Sequence, residues 1–137
     1  QWIHSWGDKW MGLKTRPGVI PLRSYRERGI PVAFGADPPA FSVYQPQEAL
    51  WQAAKRTTRE GTPFDSAEAL SVREALRIQT MGSAFSGFQE RDLGSLEKGK
   101  LADLAVWDRD FTTVPLDQVR SAKCLLTIVG GTVVHRR

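Results

Sequence analysis

The chain has 137 residues, of which 41% are hydrophobic and 25% are charged, an ordinary composition for a globular domain. Its net charge is +4, but the 19 Lys and Arg residues form no basic stripe, so we expect no nucleic-acid partner. No apolar run approaches the roughly 18 residues of a membrane span. The single cysteine excludes an internal disulfide and favours a cytoplasmic location, and the start at Gln1 is interpreted as a truncated N terminus.

The first ten residues contain three of the five tryptophans, with His4 among them. We expect these aromatic side chains to be buried, either against the rest of the chain or against a partner. His4 is predicted to be a partly buried, hydrogen-bonded side chain, and the alternatives are a metal ligand or a substrate contact.

The next stretch predicts a helix followed by a short buried strand. Residues 20–28 have a helical pattern that Gly29 ends. Residues 32–34 are β-branched or aromatic, as in a buried strand, and Pro38-Pro39 forces the chain out of any sheet. Asp37 would then lie at the C-terminal end of a strand, where parallel α/β folds carry their chemistry. The alternative is that Asp37 is an ordinary turn residue before proline.

Two further helices are predicted in the middle of the chain. The first covers residues 48–59, with Arg56 on its polar side, and is ended by the turn that begins at Gly61. The second begins at Ser71, whose hydroxyl and the Glu74 carboxylate form a capping box, and runs to Gly82.

The last third of the chain predicts a small β unit after an architectural boundary near residues 90–92. Residues 102–108 and 123–129 are rich in Leu, Val, Ile and Thr, and a connection through Pro115 joins them. Gly130-Gly131 predicts a two-residue hairpin turn that requires positive φ angles.

Several segments resemble those of the amidohydrolase superfamily, in that family's order and spacing. Residues 94–108 are similar to the signature G-S-(L/I)-x-x-G-K-x-A-D-(L/I)-x-V, and residues 127–134 to the closing hairpin. Residues 34–39 resemble the end of barrel strand eight, and residues 69–84 resemble the helix that follows it. The Trp-rich start and residues 52–56 are most similar to the branch called amidohydrolase family 3, or YtcJ-like.

This resemblance implies an α/β fold that forms the C-terminal part of a (β/α)8 (TIM) barrel followed by the closing strands of a small β-sandwich. Residues 1–90 would supply the last barrel strand or strands with flanking helices, and residues 91–137 the C-terminal part of the sandwich. The implied activity is metal-dependent hydrolysis of non-peptide C–N bonds in small-molecule amides or cyclic amides.

The resemblance also implies a role for Asp37. In the family, the strand-eight Asp binds a divalent metal, for which we expect zinc, and handles the proton of the attacking water. A divalent cation lowers the pKa of bound water towards about 7, and a nearby carboxylate passes the proton to the leaving amine. Ala36 replaces the usual Ser before this Asp.

The other metal ligands of the family are missing from these 137 residues. The only histidines are His4 and His135, and no His-x-His pair is present. His135 falls in the terminal strand and is predicted to be structural or exposed, while Cys124 is predicted to be a buried, inert thiol. Catalytic zinc normally takes three protein ligands, so we expect a fragment that is inactive and binds no cofactor alone.

A second hypothesis is a non-catalytic interaction module. One or two strands of a closed barrel leave open edges, which self-association or the missing part of a barrel would cover. Both hypotheses therefore predict that the isolated chain forms a homo-oligomer, rearranges or is poorly ordered.

We predict that the isolated 137-residue chain retains no zinc or manganese, because one carboxylate supplies too few ligands. The measurement is the metal content of the purified chain after dialysis against metal-free buffer. About one tightly held metal ion for each chain would contradict the prediction.

Overall fold

A computed structural model describes residues 18, 20–36, 44–58 and 61–137 of the chain. In chain order these residues form α1 (Leu22–Glu27), α2 (Pro46–Lys55), a 3₁₀ turn (Ser66–Glu68), α3 (Val72–Arg77), a π turn (Ile78–Gly82), α4 (Ser83–Ser86), β1 (Leu104–Trp107), α5 (Leu116–Arg120), β2 (Cys124–Val129) and β3 (Thr132–Arg136).

Helix α1 confirms the prediction for residues 20–28 with slightly shorter ends. Its apolar contribution to the core is Leu22, which is buried. Gly29 follows the helix with φ +67°, a left-handed conformation that glycine adopts without a steric penalty, so the predicted stop is confirmed.

Helix α2 ends four residues before the predicted position. Its start is favoured by Pro46, which fits the first helical turn. Its end is set by Arg56, which adopts a left-handed conformation and donates its backbone N–H to the Gln52 carbonyl at 3.0 Å. Thr57 then pairs with Pro63, so the chain reverses at once and residues 57 and 58 do not continue the helix.

The capping box at the start of α3 is confirmed. The Ser71 hydroxyl accepts the Glu74 backbone N–H at 3.3 Å, and the Glu74 carboxylate accepts the Ser71 backbone N–H at 2.8 Å. The predicted end at Gly82 is wrong, because Gly82 has helical angles and the chain continues through the π turn into α4.

The hydrophobic core forms where α2 meets α3 and α5. The residues of its buried cluster come from several parts of the chain: Leu22, Leu50, Ala53, Leu70, Ala75, Phe111, Val119 and Ala122. A polar contact closes the same interface, because Trp51 donates its indole N–H to Asp117 at 3.1 Å and the Arg120 guanidinium lies over the Trp51 ring.

The three strands form one antiparallel sheet in the order β1-β2-β3. Leu104 pairs with Ile128 across β1 and β2, and Val129 pairs with Thr132 next to the hairpin turn. Gly130 and Gly131 both have positive φ, at +56° and +81°, so the predicted two-residue turn is confirmed. Helix α5, in the connection after Pro115, was not predicted.

The predicted strand at residues 32–34 is wrong, since residues 30–36 form neither helix nor strand. A strand is defined by hydrogen bonds to a neighbouring strand, and the described sheet contains β1, β2 and β3 alone. The side chains nevertheless alternate, with Val32 and Phe34 half-buried against the core and Ala33 exposed between them.

None of the helices in the described ranges combines the length and the apolar character that crossing a membrane requires.

We predict that Leu50→Ala lowers the free energy of unfolding by about 2–5 kcal/mol, because Leu50 is 1% exposed and its loss leaves a cavity. Leu96→Ala is the matched control. Its side chain is 84% exposed, and the expected change is within about 0.5 kcal/mol. Urea denaturation followed by circular dichroism measures both, and equal effects would contradict this account of the core.

Candidate active site

The predicted site residue Asp37 lies outside the described residues, and so does His4. The structure does describe residues 31–36, which lead directly to Asp37 and are called the approach segment below. Val32 and Phe34 place one side of this segment against the core, while Gly35 and Ala36 are exposed. The approach segment therefore packs against the helices of the core, and its last two residues, Gly35 and Ala36, are exposed to solvent.

The π turn touches the approach segment through Gly82. A Cβ atom on Gly82 would lie 2.0 Å from the Val32 carbonyl oxygen and 3.2 Å from its carbon. The 2.0 Å distance is far below van der Waals contact, so the backbones meet directly and only glycine fits. Thr80, also in this turn, donates its hydroxyl to the Leu76 carbonyl of α3 at 3.0 Å.

Lys100, in the G-K-x-A-D part of the signature, is a structural residue. Its side chain is 11% exposed, and its ammonium donates to the carbonyl oxygens of Glu90 at 2.7 Å and Leu93 at 3.1 Å. It also forms an ion pair with Glu97 at 3.4 Å. Lys100 thus ties together the turn between α4 and β1.

Asp103, also in the signature, holds the β2–β3 hairpin. Its carboxylate accepts the Gly130 backbone N–H at 2.7 Å, and the Gly131 N–H donates to the Ala102 carbonyl at 3.1 Å. Both partners belong to the glycine pair of the turn. The signature therefore fixes the hairpin against the chain that enters β1.

The first glycine of the signature is required by close packing. Gly94 has φ +88°, and a Cβ there would lie 2.9 Å from the Ala84 Cβ and 3.0 Å from the Met81 Cα. The turn after α4 consequently packs directly on the helical layer.

The described carboxylates with shifted pKa values are ionised structural groups. The Ser95 hydroxyl, and then Lys100, lower the pKa of Glu97. Arg109, followed by the Lys123 backbone N–H, lowers the pKa of Asp108 far below its usual range. The pKa shifts are also downward for Glu68, Glu74 and Asp110. A lowered pKa makes a carboxylate a weaker base, so none of these is suited to proton transfer near neutral pH.

Arg56 is buried, although the sequence placed it on the polar side of its helix. The left-handed conformation at Arg56 turns it inward, where its guanidinium donates to the Ile20 carbonyl at 3.2 Å and lies 5.0 Å from the Phe64 ring centre. Burial lowers the pKa of Arg56, and the charges of Asp65 and Glu68 oppose that effect. Nothing in the spacing of residues 52–56 indicates this inward turn.

The remaining candidate side chains do not converge on a site. His135 lies on β3, paired in register with Thr127, and is exposed. Cys124 is half-buried rather than buried, and its thiol donates to the Leu126 carbonyl at 3.2 Å. Within the described part of the chain, no three His, Cys, Asp or Glu side chains are grouped so that they could hold a metal ion.

Comparison with known proteins shows the family. The sequence profile of the amidohydrolase family matches residues 3–135, nearly the whole chain. The chain therefore belongs to the amidohydrolase family. Within it, the match is to amidohydrolase family 3, which confirms the resemblance seen in the sequence.

Named relatives agree with this assignment. An N-substituted formamide deformylase of Arthrobacter pascens is 34% identical over 96% of this chain and 25% of its own length. The amidohydrolase YtcJ of Bacillus subtilis is 27% identical over 93% of this chain and 24% of its own. A 5-methylthioadenosine/S-adenosylhomocysteine deaminase of Natronomonas pharaonis is 28% identical over 89% of this chain and 30% of its own length. The chain thus spans about a quarter of the length of the first two relatives.

One solved structure is similar as well. An amidohydrolase from Thermotoga maritima, at 18% identity, aligns with 84% of this chain and 34% of its own, with a TM-score of 0.43.

We predict that Lys100→Met lowers the free energy of unfolding by about 1–3 kcal/mol, because the part-buried carbonyl oxygens of Glu90 and Leu93 lose their donor. Lys98→Met is the control, since Lys98 is exposed and the expected change is within about 0.5 kcal/mol. Chemical denaturation measures stability, and amide exchange at residues 90–100 locates the change. A stable Lys100→Met variant with unchanged exchange would refute the structural role.

Proposed function

We propose that these 137 residues form the C-terminal part of a metal-dependent hydrolase that cleaves C–N bonds, other than peptide bonds, in small amides or cyclic amides. The observation that carries this proposal is the family match over residues 3–135. Two of the relatives are named as a formamide deformylase and a deaminase, and both of these activities break a C–N bond. The alternative of a non-catalytic module is not favoured, because relatives that match most of this chain carry the names of enzymes.

The proposal assigns residues 1–90 to the end of a (β/α)8 barrel and residues 91–137 to the C-terminal part of a β-sandwich. Support for the second assignment comes from the antiparallel sheet β1-β2-β3 and from the signature contacts of Lys100 and Asp103. Support for the first comes from the approach segment, whose alternating burial matches the period of a strand.

Asp37 is the proposed reactive group of this part of the enzyme. We assign it two roles, as one ligand of a divalent metal, which we propose to be zinc, and as the carboxylate that takes up and passes on a proton. The described residues do not by themselves fit a metal, because they contain no group of three potential ligands and a catalytic zinc takes three protein ligands. The further ligands would belong to the rest of the barrel.

The substrate proposal is an amide with a small acyl group or a cyclic amide. The deformylase relative, by its name, acts on N-substituted formamides, and it is 34% identical to this chain. An N-substituted formamide is therefore the first substrate to test, with a cyclic amide as the second.

We predict that Asp37→Asn lowers kcat at least 100-fold in the complete translation product of the gene that encodes these residues, because an amide does not accept the proton. The assay is amine release from an N-substituted formamide and ring opening of a cyclic amide, with zinc or manganese added. Asp92→Asn is the control, since Asp92 is exposed and lies in the turn after α4.

Two outcomes would contradict the proposal. An Asp37→Asn enzyme with kcat within twofold of the unmodified enzyme would remove Asp37 from the chemistry. An unmodified enzyme that cleaves no C–N bond, with either metal present, would overturn the proposed reaction itself.

A further inference from the structure

The contact between Gly82 and Val32 joins two parts of the chain that are fifty residues apart (82 − 32 = 50). The nearest approach is between backbone atoms, because the Cβ position of Gly82 lies 2.0 Å from the Val32 carbonyl oxygen. A carbon atom and a carbonyl oxygen normally come no closer than about 3.3 Å, so any side chain at this position would push the two backbones more than 1 Å apart (roughly 3.3 − 2.0).

The helix is the less movable of the two parts. Ala75 of α3 is fully buried in the core, and Ala84 of α4 is buried under the turn that follows. The approach segment, in contrast, makes no hydrogen bond from the backbone of residues 31–36 to any described residue. Its position is therefore set by the packing of Val32 and Phe34 and by the contact with Gly82.

The π turn brings Gly82 to this contact. A π turn adds a residue to one helical turn, and such turns occur often at functional sites. The Thr80 hydroxyl donates to the Leu76 carbonyl, so a side chain of the π turn bonds to the helix backbone one turn earlier. Helical glycine costs about 1 kcal/mol relative to alanine, so its presence here is explained by the close approach.

We propose that Gly82 is a positioning residue for the reaction. It sets how closely the approach segment lies on the helical layer, and through Ala36 it determines where the chain delivers Asp37. This inference rests on the proposed role of Asp37, since without that role Gly82 would affect only local packing. A displacement of about 1 Å at a reacting group costs on the order of 100-fold in rate, which makes a backbone contact of this kind consequential.

The test compares Gly82→Ala with Gly87→Ala in the complete translation product. Gly87 is a matched control because it caps the end of α4 with φ −92°, and a Cβ there would meet its nearest atoms at 3.6 Å, an ordinary contact. In folded protein we measure amide exchange at residues 32–36, which pairing with neighbouring strands of the proposed barrel would protect. We also measure the metal retained after dialysis, and kcat and KM for an N-substituted formamide.

For Gly82→Ala we expect at least tenfold faster exchange at residues 32–36, metal content below half that of the unmodified enzyme, and kcat lowered at least tenfold with KM changed less than threefold. Gly87→Ala should leave all of these within twofold. A folded Gly82→Ala enzyme that keeps its exchange rates, metal content and kcat within twofold would overturn the proposal, even if its melting temperature falls.

A milder variant keeps the proposal testable if Gly82→Ala does not fold. Thr80→Val preserves side-chain volume and removes the hydroxyl that bonds the Leu76 carbonyl. We expect it to speed exchange at residues 32–36 and to lower kcat threefold or more, and unchanged values would count against the inference. If the unmodified enzyme cleaves no C–N bond, the proposed reaction fails, whereas the metal content of Gly82→Ala still tests whether Gly82 positions Asp37 as a metal ligand.

Discussion

The packing of α2 between α3 and α5 is the interaction on which the rest of the structure depends. Leu50, Ala75 and Val119 are almost completely shielded from solvent, and they come from parts of the chain that are 25 and 44 residues apart (75 − 50 and 119 − 75). Small side chains at the contact let the helices approach closely. Both the approach segment, through Val32 and Phe34, and the sheet, through Trp107, are held in place by packing against this core.

The family signature marks the fold and not the chemistry. The Lys100 ammonium donates hydrogen bonds to two carbonyl oxygens of a turn, and Asp103 accepts a backbone N–H of the hairpin. Neither side chain is therefore free to contact a substrate. Replacing either residue would leave part-buried or turn groups without a partner, which costs more than the net gain of the bond itself. Because losing either residue costs more stability than the bond itself contributes, a signature with no catalytic residue can still identify an enzyme family.

Local rules predicted the elements that local contacts determine. The capping box of Ser71, the stop at Gly29 and the glycine hairpin depend on residues within a few positions, and all are present. The burial of Arg56 depends instead on Ile20 and Phe64, and the close packing of Gly82 depends on Val32. No pattern in one stretch reports such distant partners, and Asp37 itself was inferred from family resemblance rather than geometry.

The approach segment shows why the sequence predicts a strand where the described structure has none. Residues 32–34 have strand-like side chains and alternating burial, yet no described residue bonds to the backbone of residues 31–36. Backbone N–H and C=O groups that leave water need partners, and in a closed barrel neighbouring strands provide them. In the proposed enzyme, barrel pairing would fix this segment along its edges, while Gly82 fixes its distance from the helices. The two constraints act in different directions, so pairing alone would not compensate for a side chain at Gly82.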